Sequence, residues 1–425
     1  MRRAVVLLLV MAFAGAAAPR QIAADAAVQR VLASQPYQQA AAFLERSHDR
    51  LVAETIQLTE IPAPPFKESA RGKTFEAMLR QTSLTNIETD PEGNVMGLRK
   101  GAGGGPLVAI AAHLDTVFPE GTGVKVKREG TRLSAPGIGD NTRSLAVLLE
   151  IIRAMDSAGI RTASDILFIG NVGEEGPGDL RGVRYLFQKG VYKDRVKTFI
   201  SVDGTGAGDS ITNGAVGSKR YRVTFQGPGG HSYGAFGLVS PAFAMGKAID
   251  KFSRMRVPSS PKTTFNVGVI GGGTSVNSIP FESWMEIDMR SESRADLDKL
   301  DKTAAALMRQ AADEENAARS TAQGKISVEM KLIGDRPSGE TPRDSPLGRT
   351  VAAVIAARGM TPRFGFSSTD SNIPISLGIP AVTLDSGGRG GREHSLDEWI
   401  DVDKSSSLPG ITAILAILMT VAGAQ

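Results

Sequence analysis

The chain has 425 residues, 41% of them hydrophobic and 22% charged, with a formal net charge of +4. That exceeds one ordinary compact domain, on a scale of about 100–200 residues each, and the balance excludes collagen, coiled coil and multi-span membrane protein. There are no cysteines, which excludes disulfides, thiolate metal sites and cysteine nucleophiles together, and the only histidines are His48, His113, His231 and His394. Any metal site must therefore be rich in carboxylates. No basic stripe of the kind that binds nucleic acid is present.

Residues 1–20 read as a signal peptide: Met1-Arg2-Arg3, then the apolar run Ala4 to Ala18 with small residues at its end. The run is shorter than the about 20 residues a membrane span needs. The expectation is an exported chain, periplasmic or secreted, with no membrane contact once the signal is removed. Residues 38–216 form the first part of a predicted catalytic domain. Helix-type spacing runs over 38–60 and stops at Pro62, Pro64 and Pro65. Within that helix His48 lies between Arg46 and Arg50 and reads as ordinary surface. Leu107 to Ala112 and Asp165 to Gly170 are short apolar runs of the kind buried on both sheet faces, as are Phe199 to Val202 and Ala381 to Leu384. Leu145 to Met155 is helical between the first two. The glycine tract Gly101 to Gly105 precedes a strand and does not follow one, so it is no dinucleotide loop.

Residues 217–335 have a different texture. Lys219 to Gln226, Thr264 to Ile270 and Trp284 to Met289 alternate, and helical stretches fall at Pro241 to Phe252 and Ala295 to Ala318. Residues 336–425 return to the first texture and close with an apolar helix, Leu408 to Ala422. The fold class expected is α/β: a doubly wound, mostly parallel catalytic sheet with a smaller α+β lid inserted into it.

The chemistry clusters at strand ends. His113 and Asp115 follow the first apolar strand, Glu174 and Glu175 the second, and Asp203 the third. In an open parallel sheet ligands bind outside the carboxyl ends of the strands, so these segments converge on one crevice. Asp140, in Gly137-Ile-Gly-Asp-Asn141, and His394, in Arg392-Glu-His-Ser395, complete the set. Imidazoles and carboxylates without thiolate suit zinc, cobalt or manganese. So many donors exceed the needs of one ion and suit two divalent ions about 3.5–4 Å apart sharing a carboxylate.

The order Ala112-His-Leu-Asp-Thr-Val117, Gly137-Ile-Gly-Asp140, Gly173-Glu-Glu175, Ser201-Val-Asp-Gly204, Gly229-Gly-His-Ser232, Ser275-Val-Asn-Ser-Ile-Pro280 and Glu393-His394 resembles the M20 di-metal peptidases. Glutamate carboxypeptidase, acetylornithine deacetylase and succinyl-diaminopimelate desuccinylase belong to that family, as does a tripeptide-aminopeptidase-like branch. The resemblance covers about residues 45–420. It implies metal-dependent hydrolysis of an amide bond in a small peptide or N-acyl amino acid. By position it implies that His113, Asp140 and Asp203 hold one ion, and that Asp140, Glu175 and His394 hold the other, most simply zinc. It makes Glu174 the general base and has the Asp115 carboxylate bond the far nitrogen of His113. It implies a homodimer formed through the lid, in which His231 reaches a partner's site to polarise the scissile carbonyl, with Asn277 beside it. Arg290 and Arg336 fall where family members grip a substrate carboxylate.

Two departures bear on specificity. Asp140 is followed by Asn-Thr-Arg-Ser144, and the third ligand is Asp203 where several carboxypeptidase-like members have Glu. Aminopeptidase, carboxypeptidase and deacylase all stay open. Two rival readings stand beside this one. Gly230-His-Ser-Tyr-Gly234 fits a nucleophile elbow, with Ser232, Asp370 or Asp385, and His394 in α/β-hydrolase order. The other rival is a non-catalytic binding protein on the same fold.

Overall fold

The computed structural model describes residues 19–424, so the expected leader, residues 1–20, lies outside the described residues but for its last two. Three helices come first, Pro19–Ala33, Gln35–Arg46 and His48–Thr59. The single helix expected over 38–60 is thus two, broken at Ser47. The Ser47 hydroxyl donates to Phe43 O at 2.8 Å, giving the backbone a local alternative to the helical ladder. His48, expected at the surface, is 2% exposed, and burial together with the Arg143 charge lowers its pKa to about 4.

The main sheet has nine strands. Its central run is parallel: Ile166–Asn171, Leu107–His113, Val196–Val202 and Ala381–Leu384. Antiparallel strands extend it on both sides, among them Val95–Arg99 and Ser210–Ala215. All seven residues of Leu107–His113 are buried. Val108, Ile110 and Ala112 face one core with helix Arg143–Ser157, while Leu107, Ala109 and Ala111 face another with helix Arg181–Gln188. Helices cover both faces, which is why the strand reads as an unbroken apolar run.

The inserted region forms its own antiparallel sheet, in the order Thr263–Gly272, Glu282–Ser291, Gly217–Gln226, Ser327–Arg336. Helices Pro241–Ser253 and Arg294–Ala318 close one face over Val223, Phe225, Met285, Ile287 and Met289. The strand alternation is the imprint of that single covered face.

A small sheet of Arg389–Gly391, Trp399–Asp401, Arg132–Ser134 and Lys127–Glu129 ties the late part of the chain to the loop before Asp140. The closing helix, Lys404–Val421, begins before Leu408 because Asp403 caps it, accepting from Ser406 N at 3.3 Å. It is long and apolar enough to cross a membrane, but here it is mostly buried in the core.

Candidate active site

The chain passes from strand Leu107–His113 to its neighbour Ile166–Asn171 and from there back to Val196–Val202 on the other side of Leu107–His113, which opens a crevice at the carboxyl ends. His113 ends the middle strand. Its Nδ1 lies 3.1 Å from the main-chain oxygen of Asp115, and that contact turns Nε2 toward the crevice. The orienting partner is therefore a carbonyl and not the expected Asp115 carboxylate, whose nearer oxygen is 3.6 Å away. That carboxylate instead accepts the main-chain N–H groups of Glu174, at 3.1 Å, and Glu175, at 2.8 Å. Asp115 thus positions the glutamate pair, and it does so because Gly173, at φ +66, turns the chain back toward it.

Asp140 sits between the two imidazoles. His113 Nε2 is 3.0 Å from Asp140 Oδ1 and 3.5 Å from Asp203 Oδ1. His394 Nε2 is 3.0 Å from Asp140 Oδ2 and 3.0 Å from Glu175 Oε1. The Asp140 loop is held by Glu398, which accepts from the N–H groups of Gly137 at 3.0 Å, Gly139 at 2.7 Å and Asp140 at 2.9 Å. Gly137 adopts φ +76, and a Cβ there would stand 2.5 Å from Thr116 Cγ2, so the turn requires glycine.

The donor set fits a divalent cation. His113 Nε2 and Asp140 Oδ1 are buried and 3.0 Å apart, yet neither makes a hydrogen bond. Nitrogen and oxygen ligands at about 2.0–2.2 Å from a tetrahedral ion stand about 3.4 Å apart, close to the separations here. Ligand atoms of His113, Asp140 and Glu175 all fall within 4.8 Å of one another.

Electrostatics follow from the crowding. Burial would lower the His113 pKa, but the Asp140 and Asp203 carboxylates raise it well above its usual value. His394 is pushed up to about 11 by its bonds to Asp140 and Glu175. Burial would raise Asp140, and the two imidazoles hold it below the usual carboxylate range. Glu174 is raised to about 7, by burial first and then by Asp203 and Asp115, against the pull of Arg336 and His113. Glu175 is raised to about 8 by burial and by the charges of Glu174 and Asp140. A field that holds protons on two imidazoles also draws divalent cations, in exchange for those protons.

Asp140, Glu174, Glu175, Asp203 and His394 line a cavity of about 490 Å³ on the catalytic-domain side, and Arg220, Arg290 and Arg336 line it from the lid. Arg336 is 4% exposed. Its Nη1 donates to Glu174 Oε1 at 3.0 Å and to Ser368 Oγ at 3.1 Å, and its Nη2 donates to Glu174 O. Both Nη groups are thus engaged by Glu174, while Nε has no hydrogen-bond partner. Arg290 faces the cavity and pairs with Asp288 at 2.7 Å.

His231 lies elsewhere, on a two-stranded ribbon of Gly230–His231 with Ser278–Ile279, Asn277 immediately precedes that second strand, and neither residue lines the cavity. His231 is exposed, and its Nδ1 accepts from Tyr233 N at 3.2 Å and Gly234 N at 3.3 Å, which leaves Nε2 free to project. Ser232 follows the ribbon strand Gly230–His231, which is antiparallel to Ser278–Ile279, and it does not line the cavity that holds His394. The elbow reading lacks its structural context.

Three residues escaped the sequence reading of the metal site. Glu398 lies on a loop four residues after His394, and nothing in its spacing marks it as the acceptor for the Asp140 loop. Asp370 is buried and accepts from Asn171 Nδ2 at 2.8 Å, with its pKa pushed well above the usual range by burial and the Glu174 charge. Arg220 is legible only as the polar phase of an alternating strand; its place over the cavity depends on how the lid docks.

The fold and the donor cluster together define a metal-dependent hydrolase. The chain belongs to peptidase family M20/M25/M40, whose model matches residues 109–420. No curated protein sequence matches it significantly. Among solved structures it is similar to the aminopeptidase PepT from Bacillus cereus, at 22% identity over 88% of this chain and 99% of that one, TM-score 0.71. A tripeptidase from Staphylococcus aureus matches at 21% identity over 88% and 98%, TM-score 0.72. The YXEP protein of Bacillus subtilis, a dinuclear metal-binding peptidase of family M20, matches at 19% identity over 90% and 99%, TM-score 0.62.

Proposed function

We propose that this protein hydrolyses an amide bond in a small peptide or N-acyl amino acid at a centre of two divalent ions, with zinc the simplest choice. The observation that carries the reading is the division of Asp140: one oxygen faces His113, the other His394. In this reading His113, Asp140 and Asp203 hold one ion, and Asp140, Glu175 and His394 the other. When bound, the ions polarise the scissile carbonyl and make the attacking water more acidic. Glu174, beside the cluster on the cavity wall, takes the water's proton on a carboxylate oxygen and returns it to the leaving nitrogen. Arg336 keeps that carboxylate aimed, and Asp115 holds the main chain beneath it.

His231 serves a second copy of the chain. It is outside its own cavity, on an exposed ribbon, and a homodimer formed through the lid would bring it to a partner's scissile carbonyl. The signal-like segment at 1–20 supports export to the periplasm or medium.

Exhaustive chelation should abolish activity, and zinc, cobalt or manganese should restore it. Glu174→Ala should keep its metal, measured by elemental analysis, while kcat falls about 10²–10⁴-fold. Full activity after chelation overturns the reading, as does loss of activity in Ser232→Ala with chelators harmless.

A further inference from the structure

Glu393 is the one carboxylate of the cavity's acidic wall to which the reading above gives no task. Among the described residues no lysine or arginine comes within ion-pair distance of it. Its charged neighbours are Asp140, Asp203 and His394, and it accepts a main-chain hydrogen bond from Thr205. Its Oε1 rests beside Gly204, 3.4 Å from where a Cβ on that glycine would be. The residues flanking it, Arg392 at φ +65 and His394 at φ +62, both hold left-handed backbone, a costly conformation for non-glycine residues. That strained pair delivers Glu393 and the His394 imidazole to the same cavity.

The opposite wall carries the opposite imbalance. Arg336 is matched by Glu174, but Arg220 and Arg290 share the single carboxylate of Asp288, at 2.9 and 2.7 Å. Counting side chains alone, the cavity therefore has a carboxylate with no lysine or arginine partner beside the metal ligands and a guanidinium in excess on the lid side. A short zwitterionic peptide has the same polarity. In an α-amino acid residue a single Cα separates the ammonium group from the carbonyl carbon, so an anchor for a free amino terminus must lie alongside the ligands. Glu393, next in sequence to His394, does.

We infer that Glu393 is the specificity residue that binds the free α-ammonium group of the substrate, which makes this protein an aminopeptidase for short peptides. The inference rests on the metallohydrolase reading above and selects one of its branches. The test uses metal-loaded wild type, Glu393→Gln and Glu393→Asp with tri-alanine and its N-acetyl derivative, and measures metal content alongside kcat and KM.

Wild type should cleave tri-alanine and neglect the N-acetyl peptide. Glu393→Gln should raise KM for tri-alanine about tenfold to a hundredfold, the scale of one charge-assisted hydrogen bond, with kcat and metal content kept. Glu393→Asp should recover part of that loss. Equal turnover of both peptides by wild type overturns the inference, as does loss of metal in Glu393→Gln, which would make the residue a ligand. Hydrolysis of the N-acetyl peptide alone would leave the metallohydrolase reading standing and the anchor refuted, whereas no hydrolysis of either peptide would refute both.

Discussion

Strand Leu107–His113 of the catalytic sheet and strand Gly217–Gln226 of the lid place their functional groups in opposite ways. The first is buried throughout, packed on both faces, and can offer chemistry only at its carboxyl end, where His113 emerges. The second buries Val223 and Phe225 on one face and leaves Arg220 and Arg222 along the other. A doubly covered sheet fixes donors at one rigid edge, as metal ligands require. A singly covered sheet presents charges along its length, suited to meeting a substrate or a second chain.

The contrast can be tested from both sides. The largest effect is expected on the lid. His231→Ala should lower kcat about 10²–10³-fold, the loss typical of one oxyanion donor, while metal content stays unchanged. Mixing it with Glu174→Ala chains should restore part of the activity, since one site in a mixed dimer keeps both groups; no recovery in the mixed sample would show that His231 does not act across a dimer. On the catalytic side, Glu398→Ala frees three N–H groups of the Asp140 loop without touching a ligand. Metal affinity should fall about 10–100-fold, the usual effect of removing a ligand's support, and a competition titration with a chromophoric chelator measures it. An unchanged affinity would mean the loop is rigid without Glu398.

The smallest effect concerns pH. Glu174, raised to about 7, must be ionised to accept a proton, so kcat/KM should climb with pH through a midpoint near 7 and level off above it. The Arg336 charge favours the ionised form, so Arg336→Met should move that midpoint to higher pH. A midpoint that stays in place or moves down would show that Arg336 does not tune the base.

Much of the site can be read along the chain because its donors fall just after apolar strands, and strand ends in a parallel sheet converge whatever the details of packing. His113, Glu174, Glu175 and Asp203 are of this kind, whereas Asp140 and His394 stand out by their Gly-Ile-Gly-Asp and Glu-His settings. Asp115 was legible as a supporting residue but not in its contact, since whether its carboxylate meets an imidazole or a pair of N–H groups depends on the turn at Gly173. His48 misled because its neighbours Arg46 and Arg50 are charged, while the helix packs that position inward.

By itself the sequence determined the chemistry available: no thiolate, few imidazoles, many carboxylates, and two textures of strand that mark a doubly covered sheet and a singly covered one. These follow from residue type and from side-chain period, which are local. Only the tertiary structure decided that Asp140 divides its oxygens between two histidines 281 residues apart in numbering, His113 and His394. It also committed Arg336 to Glu174, left His231 outside its own cavity, and put an unpaired Glu393 beside the ligands. Each depends on how distant segments pack, and a charged side chain's partner in a buried cleft is set by which groups are desolvated together, not by its neighbours along the chain.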